Sequence, residues 1–197
     1  MAMTETDFLL ARSRLRERID SLQNDVSRCY WDLRHPGAPA SAPFPAVMYA
    51  FATIDYLSSY WAGWNQSGPG KSQTNRLTDF MRKYLLYPNK ESQIAVNFWR
   101  HKLMHTAEPR ILRNADNSEI YIWEIGTPLR SHMMLLPTHE PTTFKLQFDP
   151  FALVRDLRDG VFGPQGYFSD LQVSADLQAN YEQCETEMES YRINLKP

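Results

Sequence analysis

Long apolar runs are missing from this chain, and so is any excess of one charge. No stretch approaches the roughly 20 uninterrupted apolar residues that span a bilayer, so no membrane association is expected. With 21 Lys plus Arg against 23 Asp plus Glu, the net charge is −2. That balance excludes the broad basic field of a dedicated duplex-DNA binder and leaves room only for a local basic face. Cysteine is nearly absent: Cys29 and Cys184 stand far apart, which fits neither a metal pair nor a disulfide-stapled secreted domain. A reducing cytoplasm is the expected compartment. The first residues, MAMTETDFLL, lack the long apolar core of a secretory leader, so the chain is read as soluble and unprocessed. There is no internal repeat and no low-complexity segment.

What the chain does have is helical periodicity and aromatic content. Aromatic residues make up 13%, and many fall in helical patterns, where their first use is to fill a core. From Thr4 or Thr6 toward Leu33, the residues Leu15, Ile19, Leu22, Val26, Cys29 and Leu33 repeat in 4-3-4-3-4 spacing, with Arg12, Arg14, Arg16 and Arg18 outside. HPGAPASAPFP then ends this helix and primes a second over Ala46–Trp64, whose single charge is Asp55. A carboxylate in that setting needs a cap, a basic partner or an edge. NQSGPGKS ends in Gly-Lys-Ser but lacks the first glycine of a phosphate-binding loop and follows a helix, which rules out nucleotide-triphosphate binding there. A third helix spans Thr74–Leu86, and a fourth runs from Glu91 or Ser92 to Glu108, stopped by Pro109.

After Pro109 the period changes to that of strands: two around the turn NADNS, then HMMLLPT and TTFKLQF. Asp149–Asp159 reads as a short helix opened by Asp-Pro and closed by Gly160. From Ser169 to about Ile193 a last helix carries Leu177, Tyr181, Cys184, Met188 and Tyr191 inside and four glutamates outside. Its acidic face answers the arginine face of the first helix, so the two are expected to pair, within one chain or across a dimer.

The predicted fold is therefore mainly α with an α+β character. A helical bundle of four to five long helices contains a small antiparallel β-sheet inserted before the C-terminal helices. One domain covers 1–197, with 4–108 as the four-helix core, 109–148 as the insertion and 149–197 completing the bundle.

Function points to the fourth helix, QIAVNFWRHKLMHTAEPR. There Arg100, His101, Lys102 and His105 sit inside an apolar run, with Arg100 and Asn97 looking out of the remaining polar sector. Arg100 and His105 are separated by four residues on the fourth helix of a bundle. In this the chain resembles the HEPN superfamily, compact helical bundles many of whose members are ribonucleases. Arg28 and His35, with six residues between, also fit the spacing, but the setting on the fourth helix favours Arg100.

The resemblance implies a homodimer in which paired arginines and histidines form one cleft and cut RNA without a metal or other cofactor, through attack by the ribose 2′-hydroxyl. Arg100 would hold the phosphate, His105 would move the proton, and His101 takes the polar position after the arginine. On an ideal helix Arg100 and His105 lie about 140° apart, so two protomers are needed. Asn97, Lys102 and Trp64, the last beside the glycine-rich loop, are candidate RNA-binding residues.

Two other readings stand beside this one. His101 and His105 with Glu108 offer a metal edge, although Lys102 stands where a zincin holds its glutamate. Alternatively the chain is a non-enzymatic module whose arginine face, aromatic second helix and sheet edge recruit a partner protein.

Overall fold

A computed structural model describes residues 3–30, 43–63, 72–102 and 111–190 of the chain. The helices are α1 (Glu5–Tyr30), α2 (Pro43–Ala62), α3 (Gln73–Tyr84), α4 (Asn89–Ala95), α5 (Pro150–Phe162), α6 (Tyr167–Val173) and α7 (Ala175–Ser190). A π-helix, Val96–Lys102, continues α4, and strands β1 (Leu112–Arg113), β2 (Ile120–Ile125), β3 (Leu135–Pro137) and β4 (Thr143–Phe148) lie between the two helical regions. The fold is mainly helical with a small sheet, as the periodicity predicts.

The α1 seam forms as its spacing requires. Leu15, Ile19, Leu22 and Val26 are all buried, because residues three and four apart share one face of a helix. Cys29 is half-buried, and Leu33 lies outside the described residues. Asp55 finds the basic partner that its apolar surroundings demand: Arg76 Nη2 sits 2.5 Å from Oδ1 and Gln73 Nε2 donates to Oδ2 at 2.7 Å. Arg76 also donates to Ser58 Oγ at 3.2 Å, so one guanidinium joins α2 to α3. Ser72, the last residue of the Gly-Lys-Ser triplet, caps α3 by accepting from the Asn75 N–H at 3.2 Å.

Four expectations are corrected. First, the sheet is mixed rather than antiparallel: its order is β1-β2-β4-β3, and β2 runs parallel to β4 from Ile120↔Thr143 to Ile125↔Phe148. The segment 126–142 is long enough for the crossover that a parallel pair needs, and it deposits β3 on the far edge, antiparallel to β4. Second, Gly160 does not end α5 but lies inside it. The cap is Gly163, whose N–H donates to Asp159 O at 2.7 Å. Third, the last helix is broken at Ser174, whose extended backbone closes α6 and whose hydroxyl accepts from the Leu177 N–H at 3.4 Å to open α7. Serine takes this role because its side chain satisfies a donor that the helix start leaves free.

The fourth correction concerns how the arginine and glutamate faces meet. Arg14 pairs with Glu185, and the Met3 N–H donates to Gln178 Oε1 at 3.2 Å, within one chain. The main packing of α7 is instead on α2, through Tyr60 against Tyr181 with ring centres 4.7 Å apart and Asn180 Nδ2 donating to Trp61 O at 2.9 Å. Arg12 and Arg16 lie over the rings of Phe168 and Phe162, both at 5.8 Å, and Arg18 over Tyr56 at 5.3 Å, so three of the four arginines serve as aromatic covers.

One buried cluster joins helices and sheet, with Phe148, Leu146 and Tyr121 from the strands packed beside Phe51, Trp99 and Leu153. Where α5 crosses the end of α3 the backbones meet closely. A Cβ at Gly160 would stand 2.5 Å from Tyr84 O. Gly160→Ala therefore gives up its ordinary helix-propensity gain to a clash with a fixed carbonyl. The expected result is a loss of about 1–3 kcal/mol in denaturant unfolding; a stabilised variant would show that the two helices part without cost.

Candidate functional site

The fourth helix is buried as its apolar circumference predicts. Ile94, Ala95, Val96, Phe98 and Trp99 are all inside, with Trp99 held between Phe148 and Phe51 at ring distances of 4.4 and 5.5 Å. Its geometry is not that of an ideal helix. From Val96 to Lys102 the backbone widens to a π-helix, so a wheel drawn at 100° per residue does not carry past Ala95. At the change, Asn97 is exposed and its Nδ2 donates to Gln93 O at 2.9 Å, so a side-chain amide supports the helix where its bonding pattern shifts.

Of the residues singled out by the sequence, Arg100, His101 and Lys102 lie on the backbone of this π-helix. Their side chains, together with Trp64 and His105, fall outside the described residues. Among the described residues, no group of three or more His, Cys, Asp and Glu side chains is gathered as a metal-holding set. No described helix is long and apolar enough to cross a membrane.

A second polar constellation lies a short distance away and is invisible to local sequence patterns. It is built on Asp149, at the junction of β4 and α5. Its Oδ1 accepts from the N–H groups of Phe151 at 2.9 Å and Ala152 at 3.2 Å, which caps α5. Its Oδ2 accepts from the Leu129 N–H at 3.1 Å, and its own N–H donates to His132 Nδ1 at 2.9 Å. That last bond fixes the tautomer: Nδ1 is the acceptor, so the proton sits on Nε2. Nε2 lies 2.9 Å from the Tyr87 hydroxyl, which donates in turn to Asp156 Oδ2 at 2.6 Å. His132, Tyr87 and Asp156 thus form one directed chain of hydrogen bonds.

Both inner members are held by unusual backbone. Leu86, just before Tyr87, has φ of 57°, and Met133, just after His132, has φ of 54°. Non-glycine residues visit this left-handed region at a cost, and such residues cluster at functional sites. The chain is buried at its His132 end, where 9% of the side chain is exposed, and reaches solvent at Asp156, where 36% is. There it meets a cleft of about 530 Å³ between the end of α3 and the end of α5, walled by Tyr84, Leu85, Leu86 and the Gly163–Gly166 loop. Lys83 lies on this cleft too, with its Nζ 2.8 Å from Asp170 Oδ2, and the Tyr84 hydroxyl donates to the same oxygen at 2.9 Å.

Electrostatics follow burial. Desolvation pushes the Tyr84 phenol up to about 12, holds Tyr87 well above its ordinary range and raises the Asp156 carboxyl. The same cause lifts the Cys184 thiol to about 11, which makes it an inert core group rather than a nucleophile. The Asp-Pro start of α5 was legible in the sequence, but the partners of Asp149 were not. His132 stands alone in HMMLLPT, and nothing in the order of residues links it to Tyr87 or Asp156.

Comparison with family models, with curated proteins and with solved structures finds no match to this chain. The functional reading rests on the residues themselves.

The buried imidazole makes stability depend on pH. Desolvation lowers His132 to about 4, with Arg155 acting in the same direction and the Asp149 carboxylate opposing. The unfolded chain therefore takes up a proton near pH 6.5 that the folded chain refuses until about pH 4, and stability falls as pH drops through that window. The contribution at stake is about 3 kcal/mol. Asp156 works the other way, because its raised carboxyl accepts a proton in the folded state first. Urea unfolding between pH 7.5 and pH 4 is expected to show the loss. His132→Asn, which keeps an acceptor for the Asp149 N–H, is expected to flatten it. An unchanged slope in that variant would mean that His132 is not held neutral.

Proposed function

We propose that the chain binds RNA and, as a cytoplasmic homodimer, cleaves it without a metal, with Arg100 holding the phosphate and His105 moving the proton. The observation that supports this reading is the π-helix at Val96–Lys102. Such turns are rare, carry poorer backbone bonding than an α-helix and recur at functional sites. This one falls on the segment that carries the arginine and histidine, and it is anchored by the buried rings of Phe98 and Trp99.

In the proposed step the ribose 2′-oxygen attacks phosphorus, the P–O2′ bond forms and the P–O5′ bond breaks. The products are a 2′,3′-cyclic phosphate and a 5′-hydroxyl end. His105 takes the 2′-hydroxyl proton or returns one to the leaving oxygen, and the partner protomer's copy supplies the complementary transfer. Arg100 answers the charge that builds on the phosphate, a role that suits a planar two-donor group better than a point charge.

A second reading, a protein-docking module, is favoured by one observation. Leu9 and Leu10 are exposed at 64% and 53% on the first turns of α1, beside the arginine face. Scattered apolar exposure is ordinary, but two adjacent leucines offer an anchor.

The deciding experiment uses the full chain with labelled single-stranded RNA in the presence of EDTA. Arg100→Ala and His105→Ala are each expected to lower the cleavage rate by about 10²–10⁴ while circular dichroism stays unchanged. Cleavage that persists in both variants removes the nuclease reading. RNA affinity that is also indifferent to Arg100→Ala leaves the docking module.

A further inference from the structure

We propose that the cleft between the ends of α3 and α5 is a binding site for a primary alkylammonium ligand, with Asp156 and Asp159 receiving its charge and Leu86 covering its apolar body. This site is separate from the Arg100 segment and does not rest on the RNA reading. Four observations carry it.

The cleft is concave and of about 530 Å³, within the range of small-molecule sites, and its wall is mostly apolar with few polar groups. Asp156 is built into it rather than scattered on a surface. Its Oδ2 is held at 2.6 Å by the Tyr87 hydroxyl, which His132 holds from behind at 2.9 Å. That support is neutral along its whole length, so it orients the carboxylate without cancelling its charge.

The charge also lacks a partner. Among the described residues neither Asp156 nor Asp159 has a lysine or arginine within salt-bridge distance, whereas Lys83, the cation on the same cleft, is already matched by Asp170 at 2.8 Å. Arg155 is near enough to be felt by Asp156 but is not part of the lining. Two carboxylates one helical turn apart on α5 therefore line the opening, and the one cation described on the cleft's own wall, Lys83, is already paired elsewhere. Burial disfavours the ionised form of Asp156, and an entering cation relieves that cost.

Finally, Leu86 stands at the rim, 81% exposed and in left-handed backbone conformation. An apolar side chain held outward at conformational cost gains by covering something. Two carboxylates do not make a metal shell, and the apolar wall favours a cation with a hydrocarbon body over a bare ion.

The probe is n-hexylammonium, with n-hexanol as its uncharged counterpart and Mg²⁺ as the bare-cation control, titrated into the full chain by calorimetry at low salt. Hexylammonium is expected to bind, hexanol to bind at least about fivefold more weakly, and Mg²⁺ not to compete. Asp156→Asn and Asp159→Asn are each expected to weaken hexylammonium by about five- to tenfold. Asp79→Asn, which removes a carboxylate outside the cleft, is expected to change nothing. Among the described residues the Asp159 side chain makes no hydrogen bond or ion pair, and asparagine keeps the main-chain carbonyl that takes the Gly163 N–H, so this variant carries the test alone if Asp156→Asn unfolds. Equal binding of hexanol, or equal loss in Asp79→Asn and Asp159→Asn, overturns the site.

Discussion

The carboxylate of Asp149 ties the start of α5 and the returning 126–134 segment to the end of β4. It is only 3% exposed, and among the described residues no cation pairs with it. Three backbone N–H groups and the start of a helix balance its charge instead. The arrangement fixes where β4 ends, where α5 begins and how the 126–134 segment folds back. Without it, α5 would lose its cap and the Leu129 N–H would be stranded.

From that junction a line of rings runs inward. Phe51, Trp99, Phe148 and His132 follow one another at 5.5, 4.4 and 5.4 Å, and Tyr87 closes the series at 5.5 Å from His132. Each contact is an ordinary aromatic packing of modest strength. Their connection matters more than their sum, because the π-helix leans on Phe148 from one side and the hydrogen-bonded chain leans on it from the other. The π-helix and the acidic cleft thus share a support.

What could be read from the sequence was local. The 4-3-4-3 spacing of α1, the Asp-Pro opening of α5, the Asn-rich hairpin between β1 and β2 and the need of Asp55 for a partner all follow from rules that act within a few turns. In the hairpin, Asp116 Oδ1 accepts from the Ser118 N–H at 3.0 Å and Asn117 takes φ of 58°, as such turn residues do. The parallel pairing of β2 with β4 was not legible, because alternation marks a strand but not the direction of its neighbour. Nor was the interior position of Gly160: glycine is a common helix stop, and only the approach of Tyr84 O, from a distant helix, explains its use within one. The triad of His132, Tyr87 and Asp156 spans three separate elements, so no spacing rule can gather it. Arg100 and His105 present the reverse case, a motif plain in sequence whose surroundings must come from chemistry.

The edges of the sheet have a consequence for how this protein meets its own kind. β1 is two residues long and β3 three, the latter ending in Pro137, which has no N–H to offer. A strand from another molecule arriving at β1 or β3 would find only two or three residues to pair with, and β3 ends in a proline whose nitrogen carries no hydrogen. Growth by strand addition, the usual route from a small sheet to a fibril, therefore has little to extend from β1 or β3.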